Sequence, residues 1–147
     1  MGLYERILVP TDGSEATERA VREAVDLAAE HGATIHALYV LNTASFASIP
    51  TESSVEGISE MLEREGETAL ESVSAVAAER DVPVEPVTLD GSPAREIVRY
   101  AEREDCDLIV MGTHGRGGID RLLLGSVAER VVRSASVPVL TVRVDED

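Results

Sequence analysis

The chain has 147 residues and a mass of 15.7 kDa, the size of one compact domain, and its 44% apolar residues exclude disordered and fibrous classes. Thirteen basic against 28 acidic side chains give a net charge of −15, and every basic one is arginine. A surface of that sign repels phosphodiesters and argues against a nucleic-acid-binding module, and no stretch of about 20 apolar residues suggests a membrane span.

Apolar blocks of strand length alternate with blocks of helix length, the signature of βαβ units. Arg6-Ile7-Leu8-Val9 predicts a strand buried on both faces, because it lacks polar alternation, and Pro10 ends it. A helix follows from about Ser14 to His31, with Ala20, Ala24, Leu27 and Ala28 on one stripe, Gly32 as its stop and His31 suited to the helix dipole. Thr34 to Val40 is a second strand, which contains His36. Leu41 to Ser53, with Pro50, reads as a long loop, mobile or covering a ligand. The spacing of Ile58, Leu62, Ala69, Val73 and Ala77 predicts a second helix from about Ser54 to Arg80.

Val84 to Leu89 is a third strand, placed at a sheet edge by Pro86, and Asp90-Gly91 is a turn. Ser92 as N-cap and Pro93 in the first turn open a third helix that ends near Glu104, with Ile97, Val98 and Ala101 facing inward. Leu108 to Met111 is a fourth strand, which opens into a Gly-rich loop from Gly112 to Gly118. Ser126 to Ser134 is a short helix, and Val139 to Val144 is the fifth strand. The order predicts a single-domain α/β, Rossmann-like fold: an open, doubly wound, parallel five-stranded sheet with four helices, its last strand available for pairing with a second copy.

In such sheets the ligand crevice lies beyond the carboxyl ends of the strands, where the winding direction reverses. Two loops are equipped for it, Pro10-Thr11-Asp12-Gly13 and Gly112-Thr113-His114-Gly115-Arg116-Gly117-Gly118. Four glycines in seven residues let successive N–H groups turn toward an anion, although a turn without a ligand needs glycines too. Gly125-Ser126 then opens a helix whose positive end points the same way. Ser126-Val127-Ala128-Glu129 also reads as a capping box, with Ser126 as N-cap. Asp12 has two readings: a ligand for a metal bound to phosphates, or the cap of the first helix. The P-loop lacks its lysine, the dinucleotide fingerprint is absent after the first strand, the three histidines lie too far apart for a zinc site, and there is no nucleophile elbow. Cys106, alone, is expected to be an inert buried residue.

The pattern of Gly112, Gly115 and Gly125-Ser126 resembles the universal stress protein family. So do the opening Ile7-Leu8-Val9-Pro10-Thr11-Asp12-Gly13-Ser14, the stretch Asp107 to Met111 and Ser136-Val137-Pro138-Val139-Leu140-Thr141-Val142. The resemblance covers nearly the whole chain. Members of that family with this glycine pattern bind ATP, so the resemblance implies ATP, with Mg²⁺ or Mn²⁺ on its phosphates. Residue by residue it implies that Asp12 meets the phosphates or the metal and that Pro10, Thr11 and Val40 line the adenine and ribose pocket. Met111, Gly112, Thr113, His114, Gly115, Arg116, Gly117 and Gly118 would wrap ribose and phosphates, and Gly125, Ser126, Val127 and Ala128 would close on the terminal phosphates. Without lysine, the phosphate charge falls to Arg116, backbone dipoles and the metal.

These residues lead to a nucleotide-binding dimer, paired through Val139 to Val144, that reports stress or a signal to an unknown protein partner. The rival readings are a slow ATPase or phosphotransferase, for which only Asp12 and His114 are nearby titratable groups, and a ligand-free dimeric scaffold. The charged start of the chain predicts a cytoplasmic location. Its acidic, lysine-free composition resembles that of halophile proteins, the alternative being a moderately acidic mesophile one.

Overall fold

The computed structural model describes residues 3–42, 52–113 and 125–143. The elements in chain order are β1 (Arg6–Pro10), α1 (Glu15–His31), β2 (Thr34–Leu41), α2 (Glu52–Ala78), β3 (Val84–Asp90), α3 (Pro93–Arg103), β4 (Leu108–Gly112), α4 (Ser126–Ser134) and β5 (Val139–Val142). All strand pairs are parallel, and the sheet order is β3-β2-β1-β4-β5. From β1 the chain winds outward through β2 to β3, then returns to the other side of β1 for β4 and β5. The reversal therefore falls between β1 and β4, and their carboxyl ends flank the crevice expected of a doubly wound sheet.

Strand periodicity divides the core into two layers. Ile7, Val9 and Val110 pack under α1 and α2 with Ala20, Ala24, Val25, Ala69 and Val73. Leu8, Leu38 and Ile109 pack on the opposite face with Ile97, Ala101, Ala128 and Val131 of α3 and α4. Ile7, Leu8 and Val9 have no exposed surface, as the unbroken apolar run of the first strand predicted. Gly66 lets α2 lie close on β2, because a Cβ there would stand 2.6 Å from Cδ2 of Tyr39. Pro86 lies on an edge strand, where its missing N–H costs no ladder bond on the open side.

Several expectations change at element ends. Gly32 stops α1 as read, at φ +67° with its N–H on the Ala28 carbonyl, while the N-cap is Ser14, whose side chain makes no cap bond. His31 in the last turn works as an acceptor, however: Leu3 N–H donates to its Nδ1 at 2.9 Å and Tyr4 meets the ring edge-on. The ring in the last turn of α1 thus also ties down the start of the chain. Asp90 continues β3, paired with Leu41, and only Gly91 turns, its N–H on the Leu41 carbonyl. Ser92 is the N-cap of α3 but its side chain makes no cap bond.

The capping box at α4 is not formed. Gly125 is the N-cap and Ser126 the first helical residue, while the Glu129 carboxylate turns forward to Arg133 at 2.8 Å. The favourable i,i+4 ion pair takes the side chain that the box would have needed. The segment expected as a loop from Leu41 to Ser53 is shorter, since Leu41 belongs to β2 and α2 starts at Glu52; residues 43–51 lie outside the described residues. β5 ends at Val142, and Val144 lies outside them too.

Beneath α3, three polar or ionisable side chains are buried, those of His36, Tyr100 and Cys106. His36 of β2, 5% exposed, sets Nδ1 2.7 Å from the Tyr100 hydroxyl and Nε2 3.6 Å from the Glu85 carboxylate. The imidazole and the phenol hydroxyl thus share one buried hydrogen bond, with the Glu85 carboxylate near the other ring nitrogen. Burial, with Cys106 and Glu104 adding charge repulsion, pushes the Tyr100 phenol up to about 12. Burial and then Asp107 push the Cys106 thiol up to about 12 as well, so it stays a neutral thiol.

Candidate functional site

The chain leaves β1 at Pro10 and makes a compact polar turn before α1. Thr11 N–H donates to the Leu38 carbonyl at 2.9 Å, which holds the turn against β2. Gly13 takes φ +79°, a conformation that favours glycine. Its N–H donates to Thr11 Oγ1 at 3.1 Å, and Ser14 N–H donates to Asp12 Oδ1 at 2.9 Å. Asp12 is therefore held by an Asx turn and does not cap α1, whose N-cap is Ser14. Behind the turn lies Thr17 of α1, its hydroxyl 3.2 Å from Thr11 Oγ1, 3.3 Å from Asp12 Oδ1 and 3.0 Å from the Ser14 carbonyl. Thr11 and Thr17 are both buried.

Across the β1–β4 seam from this turn lies the end of β4. β4 runs to Gly112, and Thr113, also buried, donates its N–H to the Val142 carbonyl at 3.1 Å. Gly125 N–H in turn donates to the Thr113 carbonyl at 2.6 Å. These two bonds pin the start of α4 beside the end of β4. The first-turn N–H groups of α4 have no partner within the helix and stand at the crevice, ready for an anion. Gly125 has φ −63°, which any residue can adopt, so glycine is not required there by backbone conformation.

Of the residues singled out in the sequence, Pro10, Thr11, Asp12, Met111, Gly112, Thr113, Gly125 and Ser126 stand at the carboxyl ends of β1 and β4 or at the start of α4. Val40 lies near the carboxyl end of neighbouring β2 and is half-buried. Val127 and Ala128 continue the first turn of α4, with Ala128 buried in the core. His114, Gly115, Arg116, Gly117 and Gly118 lie outside the described residues.

Three features escaped the sequence reading. Thr17 is one; the spacing Ser14-x-x-Thr17 at a helix start was its available signal. Ser14 Oγ is a second, a buried hydroxyl oxygen with no hydrogen-bond partner. An orphaned oxygen costs about 1–3 kcal/mol, and the Asp12 carboxylate and this hydroxyl are both oxygen donors of the kind a divalent cation takes. The third is a groove of about 290 Å³ lined by Gly13 and by Met61, Arg64, Glu65 and Thr68 of α2, which brings a guanidinium near the turn.

Comparisons with known proteins agree with this geometry. The model of the universal stress protein family matches residues 3–143. The universal stress protein MJ0531 of Methanocaldococcus jannaschii is 47% identical over 141 residues, 96% of this chain and 83% of its own length. The structure of MJ0577 from the same organism superposes with a TM-score of 0.86 at 30% identity, covering 99% of each chain. A universal stress protein solved in complex with cAMP superposes with a TM-score of 0.72 at 26% identity, covering 95% of this chain and 97% of that one.

Proposed function

The chain belongs to the universal stress protein family, and on that premise we propose that it is a cytoplasmic ATP-binding dimer, working in high salt, whose nucleotide occupancy is read by a stress or signalling partner. The observation that carries nucleotide binding is the pinning of Gly125 to Thr113, which sets the first turn of α4 beside the crevice that Asp12 flanks. The relative in complex with cAMP supports an adenine nucleotide in this fold. Pro10, Thr11 and Val40 receive adenine and ribose. Met111 to Gly118 wrap the ribose and phosphates, and Gly125 to Ala128 take the terminal phosphates with their N–H groups. A Mg²⁺ or Mn²⁺ ion, when bound, supplies positive charge to the phosphates. Asp12 and the Ser14 hydroxyl are the oxygens that would hold it. Arg116 adds a cation in a chain whose net charge of −15 otherwise opposes an anion.

The test is to denature the purified protein and identify what it releases. ATP supports the proposal; another adenine nucleotide replaces ATP with that ligand. Release of nothing, with no uptake of MgATP in equilibrium dialysis at molar KCl, leaves the ligand-free scaffold.

The dimer is assigned to the β5 edge. The Val142 carbonyl faces β4, where it accepts from Thr113, and alternation therefore turns the N–H and C=O of Thr141 outward. An open edge carrying exposed Leu140 is a template for a second copy. Thr141→Pro removes one outward donor and no bond to β4, so it is expected to shift sedimentation toward the 15.7 kDa monomer with the fold retained. A monomeric parent protein at micromolar concentration in high salt would refute the assignment.

Stability is expected to rise from dilute to molar KCl, because 28 acidic side chains repel one another less as the screening length shrinks to about 3 Å. Unfolding midpoints in urea measure this, and a flat or falling trend would point to the mesophile alternative.

A further inference from the structure

We infer that Thr17, backed by Thr11, is the positioning residue for the Asp12 carboxylate in the nucleotide site, an inference that rests on the function proposed above. The hydroxyl protons can be assigned by counting donors. Asp12 as a carboxylate and the Ser14 carbonyl accept only. Thr17 has one proton for two such acceptors, at 3.3 Å and 3.0 Å, so the Thr11–Thr17 contact at 3.2 Å is made by the Thr11 proton. Thr11 Oγ1 itself accepts from Gly13 N–H at 3.1 Å. The result is a directed relay from Gly13 N–H through Thr11 to Thr17, ending on Asp12 or on Ser14.

The last step is a rotor with two seats. With no cation at Asp12, the Thr17 proton stabilises the carboxylate charge, reinforcing the Ser14 N–H already on Oδ1 at 2.9 Å. When a divalent cation draws on that charge, the same proton turns to the Ser14 carbonyl and no group is left unpaired. Burial of both threonines, at 8% and 7% exposure, keeps water from substituting for either hydroxyl. In the empty site the carboxylate is thus held in one orientation, so a metal-bound nucleotide meets a ligand already in place.

The prediction concerns the metal-dependent part of affinity. Titration calorimetry compares ATP with Mg²⁺ and ATP with EDTA on the parent chain, Thr17→Val, Thr17→Ser, Asp12→Asn and the double variant Thr17→Val with Asp12→Asn. Thr17→Val should weaken MgATP about ten-fold and leave metal-free ATP unchanged, while Thr17→Ser restores the parent affinity. On the Asp12→Asn background Thr17→Val should add no further loss, because its effect passes through the carboxylate. If Thr17→Val does not fold, Thr17→Ala takes its place. Equal losses with and without Mg²⁺, additive losses in the double variant, or no loss at all overturn the positioning role and leave nucleotide binding intact. A parent chain that binds neither form of ATP overturns the functional reading itself, and this inference with it.

Discussion

Raising the pH from 9 toward 12 is expected to remove on the order of 5 kcal/mol of stability through two buried groups, Cys106 and Tyr100. Burial raises the thiol from 9.0 to about 12, and burial joined by the Cys106 charge raises the phenol from 10.0 to about 12. The folded chain therefore holds both protons over a range where the unfolded chain releases them. The stabilisation is complete below about pH 9 and is lost progressively up to about pH 12. The two groups repel each other once ionised, so they titrate as a pair and their effects do not add. Composition simplifies the measurement, because the chain has no lysine to titrate in the same range. Guanidinium midpoints at pH 8.5 to 11.5 should fall steeply for the parent and less steeply for Cys106→Ala. Tyr100→Phe should cost about 1–3 kcal/mol already at neutral pH, since it leaves buried His36 Nδ1 without its hydrogen-bond partner. An alkaline slope unchanged by Cys106→Ala together with Tyr100→Phe would refute this account.

Much of this architecture was legible in the residues. Unbroken apolar runs such as Ile7-Leu8-Val9 mark strands buried on both faces, and Pro86 marked an edge. The turn after β1 was legible as well, because an Asp-Gly pattern describes a local backbone need. What a one-dimensional reading lacks is competition between partners distant in sequence or shared by several groups. Glu129 could have closed a capping box at the start of α4, but Arg133 holds it instead. His31 at the end of α1 also takes the Leu3 N–H from the start of the chain, 28 residues away. Thr17 carried no signal beyond its spacing from Ser14, and its importance follows only from the way the turn folds Thr11, Asp12 and Ser14 around one hydroxyl.

MgATP at about 100 times its dissociation constant should stabilise the native chain by about 2.7 kcal/mol, which at roughly 2–4 °C per kcal/mol raises the melting midpoint by several degrees. Gly125→Val should abolish that shift. At φ −63° and ψ 157° the backbone accepts a β-branched residue, and the N–H bond to the Thr113 carbonyl is kept, so the fold should survive. The isopropyl group would instead occupy the approach to the first-turn N–H groups of α4, where the phosphates are placed. Circular dichroism of Gly125→Val without ligand separates a blocked site from an unfolded one. Ser126→Ala probes the same place more gently: Ser126 is exposed at the first helical position and caps nothing, so its loss should leave the unliganded midpoint unchanged. Removing its hydroxyl should weaken MgATP by about 1–2 kcal/mol while the backbone donors persist. If millimolar MgATP leaves the parent midpoint unmoved in high salt, and no nucleotide is already bound, the crevice between β1 and β4 does not bind ATP. The pinning of Gly125 then serves only to close a turn.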